Sequence, residues 1–445
     1  MMQNNIKLSE HFTFSKIFKF TLPSVTMMVF LSIYSIVDGF FVSNFVGKIP
    51  FASLNLVFPL IMLMGAIGLM IGTGGSAFVA KTIGQGNREK ANKIFSMLIY
   101  AVIILGSLLG AACILCLRSI VLKLGATPDM LDFCIQYATI ILSALPFFML
   151  QSVFQSFFVA AEKPKIGLYV IVMAGITNII LDYVFIVPFN LGLKGAALAT
   201  ALSQLIGGLI PIFYFARKNN SLLKLGATKF YRKEFIKVII NGSSEFMSNI
   251  SASIVSAIFN YQLLKYVGED GVAAYGTIAY FLFIFYAVYM GYCIGISPVI
   301  SYNYGAKNTD ELKSITKKSL KIVAVLGLLM TFSAEFLATP LSKIFVGYDS
   351  NLLAFTVSGF KIFAISFIFG GFNVFCSAFF TALNNGVISA AISFLRTLVF
   401  ESTAVLTLPL VFGVNGIWSS VIVAEIMALG FSTLCFVALR KRYKY

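Results

Sequence analysis

Charge is what this chain has least of. Of its 445 residues, 11% are Asp, Glu, Lys or Arg and 59% are hydrophobic, with a mean hydropathy of +0.93. Water-soluble domains carry about 25% charged residues, so a soluble globule of this size is excluded and much of the surface must face lipid. Histidine is nearly absent. The one present, His11, sits in the polar N-terminal tail, which argues against a histidine metal centre. No GxxxxGK[ST] run occurs, so the chain has no P-loop with which to hydrolyse ATP. An enzyme would need a nucleophile, metal ligands or a clustered His/Asp/Glu set, and none is legible. The six cysteines lie mostly in apolar stretches, where they act as small hydrophobes. Cys113 and Cys116 have redox or metal spacing but no partner ligands nearby.

Long uncharged apolar runs are what the chain has instead. Residues 94–117, 195–216 and 272–306 carry no charge. About 20 such residues cross a bilayer as a helix. Barrel strands would alternate over about ten residues, and these runs do not. Twelve spans are expected near 16–46, 51–80, 92–117, 131–161, 166–188, 194–216, 234–265, 271–303, 314–338, 352–382, 387–411 and 416–438. The first contains Pro23 and Asp38 and has no small-residue cleavage site, so it reads as a span rather than a cleaved leader. With the N-terminus inside, twenty-five Lys and Arg fall on the inner side and seven on the outer. This bias predicts a multi-pass plasma-membrane protein with both termini cytoplasmic. It also accounts for the net charge of +16 without a nucleic-acid partner.

The sequence repeats itself. A shift of 221 residues pairs Gly47 with Gly268, Gly74 with Gly295, Ser76 with Ser297, Gly84 with Gly305, Asn87 with Asn308, Pro188 with Pro409, Gly192 with Gly413 and Gly195 with Gly416. A shift of 222 pairs Phe157, Phe158 and Ala160 with Phe379, Phe380 and Ala382. Each half holds six spans, an even number, so the two repeats are parallel. The division predicted is an N-lobe over 1–216, a basic cytoplasmic linker over 217–233 and a C-lobe over 234–445. Parallel repeats of this kind belong to transporters that rock two lobes about a central site.

Five acids fall within spans: Asp38, Asp182, Glu245, Glu401 and Glu425. One base, Arg396, opposes them. A charge at a helix centre costs at least about 2.5–3.5 kcal/mol, so such residues face the bundle interior and mark ion or substrate paths. Asn178 and Asp182 are four apart and share a helix face. Asp38, Asp182 and Thr200 all lie roughly 9–12 Å below the outer surface at 1.5 Å per residue, so spans one, five and six can build one polar pocket. The 221 shift maps Asp38 onto Phe259 and Asp182 onto Thr403, so that pocket is not duplicated. Glu401 and Glu425 are placed to share Arg396 as an internal ion pair. Glu245 lies deep in span seven as a candidate coupling or substrate residue. The 46 Phe and 15 Met offer a pliable lining for flat hydrophobic cations. Pro23, Gly39, Gly291, Gly295 and Pro298 are positions where spans one and eight can bend.

With the duplication, VDGFFVSNFVG at 37–47, GTGGSAFVAKTIGQGN at 72–87, NIILD at 178–182 and GAALAT at 195–200, nearly the whole chain resembles the multidrug and toxin extrusion family. The resemblance implies a V-shaped exporter that expels organic cations or other toxic compounds in exchange for protons or sodium. It implies an N-lobe cation site at Asp38, Asn178, Asp182 and Thr200. It also makes Glu245 the counterpart of a C-lobe acid found in some branches. The partner acid of those branches, in span ten, is absent here; that span has only Asn373. This departure tilts the expectation towards protons. No cofactor is expected beyond H+ or Na+, and the partners expected are the bilayer and small cationic or amphipathic molecules, with the protein acting as a monomer. Two alternatives remain open: a flippase for a lipid-linked oligosaccharide or polysaccharide in the same superfamily, and an integral-membrane enzyme or receptor.

Overall fold

A computed structural model describes residues 6–445; the first five residues of the proposed N-lobe lie outside it. The described residues are helical, with no strand among them. Helix α1 (Phe14–Phe41) continues into a π-helical turn, Val42–Val46, and is followed by α2 (Lys48–Gly84), α3 (Arg88–Lys123), α4 (Pro128–Ser143), α5 (Leu145–Ala160), α6 (Pro164–Ile186) and α7 (Gly192–Ala216). The second half runs α8 (Arg232–Tyr266), α9 (Glu269–Gly305), α10 (Thr309–Val346), α11 (Ser350–Ala364), α12 (Phe367–Ala382) and α13 (Gly386–Phe394). A π-helical segment, Leu395–Glu401, then leads into α14 (Ser402–Thr407) and α15 (Pro409–Tyr443).

Nine of these helical stretches are long and apolar enough to cross a membrane, and two bent pairs raise the number to eleven among the described residues. Helix α8 is long as well, but NGSSEFMSNISAS fills its middle, too polar to meet the same criterion. It lies against α2 and α13, so that polar face has protein beside it. The twelve expected spans are reached by counting α8. Apolar side chains point outward elsewhere: Leu115 is 87% exposed and Phe336 83%. In water such a belt would be an aggregation surface; in a bilayer it is the solvated face.

Two spans expected as single helices are broken. Residues 131–161 bend by 54° between α4 and α5, and 352–382 by 49° between α11 and α12. Pro146 accounts for the first break, since it has no N–H to give the helix ladder and its ring crowds the preceding turn. The second has no proline. Three-residue turns carry it instead, with Ser366 N–H donating to Phe363 O at 3.0 Å and Ile368 N–H to Ile365 O at 3.2 Å.

The duplication holds at the level of backbone angles. Gly192 and Gly413, 221 apart, both sit at φ +56°, and Gly47 and Gly268 both cap a helix start at φ +116° and +90°. The buried residues form two hydrophobic clusters, one per half, and the N-terminal Leu8, Phe12, Ile17 and Phe20 belong to the cluster of the second half. Across the seam α1 packs on α9 and α2 on α8, pairs that the repeat interchanges. Glycines allow these approaches. A Cβ on Gly84 would meet Tyr302 O at 2.1 Å, and one on Gly305 would meet Lys81 O at 2.1 Å. Gly74 faces Val238 and Gly242, while Gly291 and Gly295 face Val25 and Thr21. Gly291 and Gly295, expected as bend points, thus serve contact, and Pro23 is carried inside one helix. All these approaches fall towards the end of the molecule that bears both termini. There the N-terminal tail bridges the halves: Leu8 N–H donates to Glu162 at 2.6 Å, and Phe12 N–H donates to Glu311 at 2.8 Å. His11 pairs with the same Glu311 at 2.6 Å.

Candidate functional site: a carboxyl pair in one lobe and an ion pair in the other

Packing of α1 on α6 brings Asp38 and Asp182 close enough for their carboxyls to interact. Asp182 and Asn178 are fully buried. Their four-residue spacing sets both on the face of α6 that packs on α1 and α7. Asn178 Nδ2 donates to Thr200 Oγ1 at 3.4 Å. Asp38 Oδ1, Asn178 Oδ1 and both Asp182 oxygens receive no amide or hydroxyl hydrogen bond. Buried polar atoms are nearly always satisfied, so four orphaned oxygens in one place make these residues the candidate site. Two carboxylates in contact repel unless a proton or a cation lies between them. An all-oxygen set also suits a hard cation such as sodium. Buried Tyr137 of α4 and Tyr34 of α1 lie near the pair. Neither tyrosine was legible in the sequence, where each is one aromatic among many.

The acids of the second half are arranged differently. Arg396 donates to Glu425 Oε1 twice, from Nε at 2.9 Å and from Nη2 at 2.6 Å. Its Nη2 also donates to the Tyr286 hydroxyl at 3.3 Å, which in turn donates to Glu425. Asn373 Nδ2 completes the set on Glu425 Oε2 at 2.7 Å. The expectation that Glu401 shares Arg396 needs correction: no hydrogen bond joins them. The Arg396 guanidinium is committed instead to Glu425 of α15 and Tyr286 of α9.

Glu245 does not join the N-lobe acids. It lines a cavity of about 240 Å³ on the seam between the lobes, together with Asn249, Met290 and Arg396 and with Thr73 and Ser76 from α2. A row of hydroxyls runs from its wall: Ser393 to Ser377 at 2.9 Å, Ser377 to Ser389 at 2.9 Å and Ser389 to Thr381 at 2.7 Å. Asn373, Tyr286 and these hydroxyls are functional candidates missed by sequence reasoning. Asn373 drew notice there only as a missing acid.

One family model, MatE, matches the chain twice, over residues 23–184 and again over 246–403. The two matches start 223 residues apart, within two residues of the internal repeat. The chain belongs to the MatE family. It is therefore a multidrug and toxin extrusion (MATE) family transporter rather than an enzyme. A second model, the lipid II flippase MurJ, matches residues 139–261 only. Among curated proteins, the multidrug export protein MepA of Staphylococcus saprophyticus is 27% identical over 71% of each chain, and that of Staphylococcus aureus is 26% identical over the same share. Among solved structures, an outward-facing multidrug resistance MATE transporter superposes with a TM-score of 0.92 at 21% identity, covering 99% of this chain and all of that one. A transporter of the wider superfamily from Pyrococcus furiosus gives the same score over both chains in full. This MATE chain shares their two-lobe fold.

Proposed function

We propose that this protein is a secondary active exporter of several toxic organic compounds, mostly cationic, driven by inward movement of H+ or Na+. The observation that carries the coupling role is the Asp38–Asp182 pair with its orphaned oxygens. A proton or sodium ion held there offsets the repulsion between the two carboxyls. Its release leaves them charged, which favours a rearrangement of α1 against α6. Helix α1 is the right lever, because it touches α6 in its own lobe and α9 across the seam. Residues 1–216 and 234–445 would move as the two lobes, joined by 217–233, in a monomer with both termini cytoplasmic. The export reading draws on the MepA relatives, and the missing acid at Asn373 favours protons over sodium.

The test is ethidium efflux from proteoliposomes under separately imposed proton and sodium gradients. Efflux driven by one gradient, and lost in Asp38→Asn or Asp182→Asn, is the expected result. A second reading, a flippase of lipid-linked saccharide, has one observation in its favour, the MurJ match over 139–261. Ethidium that stays put under both gradients, with a lipid-linked substrate translocated instead, would replace the exporter with the flippase.

A further inference from the structure

We propose that Arg396 is a substrate-selecting residue. It takes the carboxylate or carbonyl of molecules whose cationic end meets Glu245, so the seam cavity is built for compounds bearing both groups. The proposal rests on the exporter reading for its transport consequence but not for its binding consequence.

Three observations carry it. First, the guanidinium is immobilised. Nε and Nη2 are used on Glu425 and Tyr286, and Glu425 is itself held by Asn373. The other amine, Nη1, donates to no described residue, and Arg396 lines the cavity. A fixed planar donor with an unused edge is suited to a carboxylate or carbonyl oxygen. Second, the charges in the cavity are unequal. Arg396 is matched by Glu425, whereas Glu245, which faces the same space, forms no ion pair among the described residues. One side of the cavity therefore offers hydrogen-bond donors and the other an acid. Third, Arg396 enters from the π-helical segment Leu395–Glu401, a departure from α-helical winding that often marks functional sites.

A purely structural ion pair would account for the first observation alone. It would not need an unpaired acid sharing the cavity with the arginine. The other lobe is instructive here. The 221 shift sets Gly175 opposite Arg396, and the space beside Gly175 holds the Phe30 ring, 2.5 Å from where a Cβ would be. Where one repeat needs only packing, it uses a glycine and a ring; the other keeps a costly arginine.

Tetramethylrhodamine and its methyl ester make the test. Both carry the same cationic xanthylium, and they differ only in a free carboxylate, which makes one a zwitterion, against an ester. Binding of each to purified protein in lipid nanodiscs is read by fluorescence polarisation, alongside ethidium efflux. Two variants are compared with the wild type: Arg396→Lys, which keeps the charge beside Glu425, and the double variant R396M/E425Q, which removes both charges together. Wild type is expected to prefer the free acid. Both variants should cut that preference at least about tenfold, the scale of one hydrogen bond to a charged partner, while the ester keeps its affinity. Equal weakening of both dyes, an unchanged preference, or no preference in the wild type each overturns the proposal. A lost preference in variants that still export ethidium sustains both readings. A lost preference in a protein that exports no dye sustains this one and removes the exporter.

Discussion

The two lobes repeat one backbone and carry opposite chemistry. Asp38, Asn178, Asp182 and Thr200 meet in the N-lobe; the 221 shift puts Phe259, Val399, Thr403 and Val421 in their places. Phe259 there stacks flat on Tyr275 at 5.0 Å. Conversely Arg396, Glu425 and Tyr286 in the C-lobe stand where the N-lobe has Gly175, Gln204 and Gly65. Duplication supplied a symmetric frame, and side chains then assigned a bare carboxyl pair to one half and a neutralised ion pair to the other. A frame held by interchangeable helix contacts tolerates this, because both halves keep the seam glycines Gly74 and Gly295, and Gly84 and Gly305.

Breaking the N-lobe pair should have the largest effect. Asp182→Asn is expected to lower gradient-driven efflux on the order of 100-fold, the scale of losing a proton-transfer group. Thr403→Ala, its repeat counterpart, should leave efflux unchanged in the same proteoliposome assay. Equal losses would mean that the asymmetry is not functional.

The C-lobe pair should matter next, and for stability first. Arg396→Met alone leaves Glu425 buried without its partner and should destabilise the protein by about 3–5 kcal/mol, whereas R396M/E425Q should recover most of that. Thermal unfolding in detergent reads both. A double variant no better than the single would show that Tyr286 and Asn373, rather than the charges, set the cost.

The seam sharpens the comparison from the symmetric side. Gly84→Ala and Gly305→Ala each drive a Cβ into a backbone carbonyl of the other lobe. Each should cost about 1–3 kcal/mol by overpacking, in like amounts, measured by unfolding. Unequal costs would show that the lobes do not share the seam evenly. The smallest effect is expected at the tail. Glu311→Gln weakens the acceptor for Phe12 N–H and the partner of His11. Hydrogen exchange over residues 8–12 should rise by the equivalent of about 1–2 kcal/mol.

Much of this was written in the chain itself. Apolar runs too long and too uncharged for water required membrane helices. The 221-residue spacing required two repeated halves, and six spans in each made them parallel; the turns at Gly47 and Gly268, and at Gly192 and Gly413, share their positive φ. Asp38 and Asp182 were legible as partners because a buried acid is costly and helical rise sets its depth. Three matters needed the tertiary structure. Whether Arg396 bonds Glu425 or Glu401 depends on how α15 packs beside the π-helical segment, a contact between separate segments of the chain. The break between α11 and α12 has no proline to mark it. Glu245 and Arg396 line one cavity through the packing of α8 against the π-helical segment after α13, a relation among distant segments that helical periodicity does not specify. Local patterns determine where a helix runs and which face is polar; which polar faces meet is decided only when the helices pack.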